Sequence, residues 1–265
     1  MIPQKKFNWK VFFVVWLGTI LGVVAILPYS LALQAPALEK ATLPIPLPLL
    51  ITIQLAQNAV MLGIAALIGL FLANRIGLGA PILEGLFAHQ KVSDRIKAFI
   101  VPSIVLGVLA SIAIIALDVF VFAPALKAEL GVLIDGLAQS NIKPAAWQGF
   151  FASFYGGIDE EVLLRLFLLT VLAWLGKFAS HTAEGRPTIA MLWLANILAA
   201  ILFGLGHLPT TAMFIPLTPL VIVRAIVLNG LAGLAFGYLY WKHGIESAML
   251  SHFSADIVLH VLFAL

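Results

Sequence analysis

The 265-residue chain contains no cysteine, and only 10% of it is charged. The first absence excludes disulfides and thiolate metal sites and leaves the redox compartment open. The second excludes the polar shell of a water-soluble domain. No basic cluster suits a nucleic-acid backbone: the net charge of +3 and the pI near 9.2 come from lysines and arginines scattered through loops. Internal repeats and low-complexity tracts are also missing. What is abundant is apolar: 62% of residues are hydrophobic, with a mean hydropathy of +1.10. Several runs approach the roughly 20 residues needed to cross a bilayer as a helix. They are continuous rather than alternating, so the expected fold is an all-α, polytopic transmembrane bundle and not a barrel.

Seven spans are read from these runs: 11–33, 47–73, 100–123 (stopped by Pro124), 148–178, 189–207, 217–241 and 245 to the end. The first is longer than the 7–15-residue core of a cleavable signal peptide, although Ser30-Leu31-Ala32 keeps cleavage as an alternative. Between Lys127 and Pro144, Asp135 and Asn141 interrupt the apolar residues, which suggests a loop with a short surface helix. Positive charge favours the inner side. With the N-terminus inside, Lys5, Lys6, Lys10, Arg75, Lys91, Arg95, Lys97, Lys177, Arg186 and Lys242 are inner, against Lys40, Lys127 and Lys143 outer. One integral membrane domain is expected, with residues 1–146 supplying three N-terminal helices and 147–265 a four-helix core. A bacterial inner membrane is its expected location. Gly230, Gly233 and Gly237 offer the sixth helix a small-residue packing surface.

Inside the fourth span lies Asp159-Glu160-Glu161-Val162-Leu163-Leu164-Arg165. Charges at a membrane helix centre cost about 2.5–3.5 kcal/mol each and mark functional sites. Glu161 and Arg165, at i and i+4, share a helix face and can pair. Glu160 points about 100° away from Glu161 and can face a cavity. Further polar residues sit in other spans: Asp118, His207, Arg224, Asn229, His252, Asp256 and His260. Arg224 needs a carboxylate, with Asp118 and Asp159 as candidates. His252 and Asp256 are again i and i+4. Carboxylates beside imidazoles can take a proton from water and hold a developing oxyanion.

Three signatures, Glu160-Glu161-xxx-Arg165, Phe203-xxx-His207 and His252-xxx-Asp256, resemble those of the CPBP intramembrane proteases. This group takes in the CAAX-processing, bacteriocin-related and Abi proteins. The resemblance covers about Trp147 to Leu259. It implies an endopeptidase in which Glu160 and His207 activate water, His252 with Asp256 stabilises the oxyanion, and Glu161 pairs with Arg165. The family accepts asparagine or aspartate at the last position, and Asp256 can donate a hydrogen bond only when protonated. On the boundaries given above, straight helices leave His207 and His252 roughly 15–20 Å apart in depth. Tilt or shifted boundaries must close that gap.

The expected function is hydrolysis of a peptide bond in a membrane-associated protein or peptide, either a prenylated CAAX-like or a bacteriocin-like substrate, in contact with lipid. No cofactor is favoured. The rival mechanism uses zinc on Glu160, His207 and His252, a two-histidine-one-carboxylate set, though the sequence has no HExxH. The alternative from another class is a non-catalytic immunity or scaffold protein, or a small-ion or proton transporter, using the same polar core. Transporters commonly show repeats and broken helices, and neither is read here.

Overall fold

The computed structural model describes residues 6–40, 44–139 and 143–263; Lys5 and Asn141 lie outside them. Among the described residues the chain is a bundle of helices without a strand. One isolated bridge, His181 to Pro187, closes the loop after the fourth span.

Helices α1 (Trp9–Ala25) and α2 (Leu27–Lys40) are separated at Ile26. Pro28 follows, and its lack of an N–H weakens the helical ladder there. Helix α3 (Leu47–Ile76) opens with proline in its first turn and closes on Gly77 at φ 79°, the left-handed cap glycine supplies most readily. Short α4 (Pro81–Phe87) follows. Next, α5 (Ser93–Leu117), a π-helical turn π1 (Asp118–Phe122) and α6 (Ala123–Gln139) form one unbroken rod.

Pro124 therefore does not stop the third span, and the expected loop from Lys127 is helix through Gln139. The reason lies in π1. The N–H of Ala123 bonds to the carbonyl of Asp118, five residues back. Pro124 then falls in the first turn of α6, where a missing N–H is tolerated.

The acidic span is continuous from Ala146 to Gly176. It is built of α7 (Ala146–Phe154), π2 (Tyr155–Glu160), π3 (Val162–Leu169) and α8 (Thr170–Gly176). Then come α9 (Ile189–Gly206), α10 (Leu208–Thr211), α11 (Pro219–His243), α12 (Ile245–Asp256) and π4 (Ile257–Leu262). Five helical stretches, 9–36, 47–76, 93–136, 189–211 and 219–243, are long and apolar enough to cross a membrane. Residues 146–176 and 245–262 are helical too, but ionisable groups interrupt their apolar surface. Leu21, Val101 and Phe120 are apolar and exposed on the outside, as suits a wall facing lipid. The protein is multi-pass and integral to the membrane.

Helix α12 is central, packed on α5, α11 and π2. Helices α9 and α11 run antiparallel in close contact, with Gly233 on Ala200 and Gly237 on Asn196. A β-carbon at Gly237 would collide with the Asn196 carboxamide, so this pair depends on small residues for its approach. The first helices join the same core: α1 lies on π2 and α3 on π3.

Candidate active site

Glu161 is fully buried. Its Oε1 lies 2.8 Å from Arg165 Nη1 and 2.8 Å from His252 Nδ1. A carboxylate oxygen only accepts, so Nδ1 of His252 carries a proton and donates it. Arg165 is buried as well. Its guanidinium sits 4.9 Å from the Phe203 ring centre and 5.3 Å from that of Phe236, a cation–π arrangement. Phe236 also stacks on His252, with centroids 4.6 Å apart and planes 23° apart. The Thr170 hydroxyl donates to the Arg165 carbonyl, five residues back, at 3.1 Å. One buried ion pair is thus clamped by helices π3, α9, α11 and α12.

Glu160 occupies a different environment. Its side chain is 22% exposed, against 0% for Glu161. Nε2 of His252 is 3.6 Å from Glu160 Oε2 and 3.6 Å from Asp256 Oδ1. Both distances exceed hydrogen-bond length, so Nε2 is available to a third group. His207 follows α9 directly, and its Nδ1 donates to the Phe203 carbonyl at 2.9 Å. A carbonyl cannot donate, which leaves Nε2 of a neutral His207 as an acceptor. The Phe203 ring touches both histidines, with centroids 4.8 Å from His207 and 5.9 Å from His252.

Glu160, His207, His252 and Asp256 line one cavity of about 430 Å³. Glu160, Glu161, Arg165, His252 and Asp256 form a connected cluster. Among the described residues, His207 makes no hydrogen bond or ion pair with those five and joins them only through Phe203 and the shared cavity. The depth gap between the histidines is bridged by the Phe203 ring, which lies between them. Helix α12 starts inside the protein: Ile245 is fully buried and its N–H donates to the Gly79 carbonyl at 3.0 Å.

Sequence reasoning missed Tyr29 and Tyr155, which also line the cavity, because no spacing rule singles out a tyrosine. His260 lines it too, 3.4 Å from the Tyr29 hydroxyl and 3.9 Å from Asp256. Asp118, one of the two carboxylates expected for Arg224, is the one that pairs with it. It binds Arg224 twice, at 2.7 and 2.8 Å, on the same cavity. Gly156 was missed as well. A β-carbon there would collide with Asp256 Oδ2 and come within 3.0 Å of His252 Nε2.

Among the described residues, no group of three or more histidines and acids is disposed to hold a metal. His207 stands apart from Glu160 and His252 and makes no polar contact with either among the described residues. The zinc set of Glu160, His207 and His252 does not fit this arrangement.

Residues 142–258 match the family described as Rce1-like, type II CAAX prenyl endopeptidase Rce1-like. Over this core the chain is similar to that family. The match takes in Glu160, Glu161, Arg165, His207, His252 and Asp256 and excludes the helices before residue 142. No curated protein and no solved structure matches the chain.

Proposed function

We propose that the protein is an intramembrane endopeptidase that hydrolyses a peptide bond of a membrane-associated protein or peptide. The observation that carries this reading is the split of two adjacent glutamates. Glu161 is buried against Arg165 and His252, while Glu160 faces the cavity shared with His207 and with the free Nε2 of His252.

In this reading Glu160 takes a proton from water, assisted by the acceptor nitrogen of His207. The resulting hydroxide attacks the substrate carbonyl. His252, held by Glu161, turns Nε2 toward the oxyanion and donates to it when doubly protonated. Glu160 then passes its proton to the leaving amide nitrogen, the C–N bond breaks, and a carboxylate and an amine result. Arg165 positions Glu161 and touches no substrate. Asp256 flanks Nε2 at 3.6 Å. Residues 147–265 supply the catalytic core, and 1–146 the helices that enclose it.

The family match favours a prenylated CAAX-like substrate, with a bacteriocin-like precursor as the other candidate. Purified protein incubated with each peptide, beside Glu160→Gln, tests the proposal. Cleavage by wild type that is lost in Glu160→Gln is expected. Equal cleavage by both proteins removes the mechanism, and cleavage of neither peptide by wild type favours the immunity, scaffold or transport reading.

A further inference from the structure

The Asp118–Arg224 pair lies on the same cavity yet has no part in the chemistry above. Arg224 Nε and Nη2 grip both Asp118 oxygens in a fork, and each side chain remains about 30% exposed, at 30% and 31%. A guanidinium has five N–H groups in fixed directions. Asp118 occupies one edge and leaves donors on the other. Asp118 is presented from π1, and π-turns inside helices recur at functional sites.

Packing sets the level of this pair. Gly237 meets Asn196, Gly233 meets Ala200, and Gly204 meets Ala225 and Ile226. Continued along the antiparallel helices, this register brings Arg224 beside the His207 end of the cavity. Phe236, which stacks on His252, is twelve residues along α11, or about 18 Å. An extended peptide covers about 3.3–3.6 Å per residue. The cavity wall from Arg224 to Phe236 therefore accommodates at most about five extended residues, with the reacting bond between its two ends.

We infer that Arg224 binds the free C-terminal carboxylate of the substrate, with Asp118 holding the guanidinium in place when the cavity is empty. This inference rests on the endopeptidase reading. A carboxylate fits the fork of an arginine through two parallel hydrogen bonds, and such pairs are among the strongest polar contacts. The group sits in the cavity that also holds Glu160, within reach of an anion carried by the molecule being cleaved.

The test uses two peptides identical except for a C-terminal carboxylate or carboxamide, and a third with the carboxamide and an acidic side chain at the last position. Wild type should prefer the acid by about 10- to 100-fold in kcat/KM, carried mainly by KM. Arg224→Gln should bring that ratio near one. So should the double change Asp118→Asn with Arg224→Gln, which removes both charges and leaves no orphan carboxylate. Equal use of acid and amide by wild type, or a preference that survives in both variants, overturns the inference. Preference for the acidic side chain over the terminal carboxylate also overturns it. If no peptide is cleaved, the protease reading fails separately. Binding of the fluorescent acid and amide then decides: acid preference lost in the variants upholds the Arg224 site, and its absence rejects it.

Discussion

One oxygen of Glu161 serves both Arg165 and His252, and this makes the effects of neighbouring substitutions easy to separate. Arg165→Ala leaves Glu161 buried with half its support, a change that typically costs about 3–5 kcal/mol. The expected result is a lower thermal midpoint in detergent together with lost activity; a variant that melts like wild type would show that the pair is not needed for the fold. Arg165→Lys should recover little, since an ammonium lacks the flat face that Phe203 and Phe236 enclose. Glu160→Gln belongs to the other class. It lies on the cavity, so melting should stay unchanged while cleavage drops by about 10²–10⁴-fold. His207→Ala should resemble it, and the double variant should be little worse than either, because groups that act on one water fail as a unit. Additive losses in kcat would assign the two residues to separate steps.

At the level of elements, π2 and π3 place the acidic motif, and Gly156 in π2 lets α12 approach it. Gly156→Ala should displace Asp256 and His252 and reduce cleavage at least tenfold, with Glu160 itself untouched. Full activity in that variant would mean the helices can part without harm. The sequence showed what is local. Spacings of four link Glu161 to Arg165, Phe203 to His207 and His252 to Asp256, and a helix turns each such spacing into a shared face. Glu161 and His252 are 91 residues apart, and no local period encodes their contact. Nor does any pattern announce the π-turns. That is why Pro124 read as a stop when π1 had already moved it to the start of α6. The choice of Arg224's partner was narrowed to two aspartates by charge balance, but only packing selected Asp118 over the buried Asp159.

Across the whole molecule, the charge bias predicts that a reporter fused at Glu184 signals from the cytoplasm and one at Gln139 from the opposite side. Exchanged signals would reverse the orientation. The rod formed by α5, π1 and α6 adds a measurement of its own. Its helix runs for 44 residues, Ser93–Gly136, a contour of about 66 Å at 1.5 Å per residue. The hydrocarbon layer is about 30 Å thick, and about 40–45 Å with headgroups. Helices rarely tilt beyond about 40°, so the bilayer cannot contain the full length. Part of α6 must stand clear of the lipid like a mast or bend down along its surface, and Val132, 92% exposed, sits on that part. Because the chain contains no thiol, a single cysteine placed at Val132 would be the one reactive group in the protein. In intact cells it should react with a membrane-impermeant maleimide, whereas a cysteine at Phe120, lower on the same rod, should stay unlabelled until detergent strips the bilayer away.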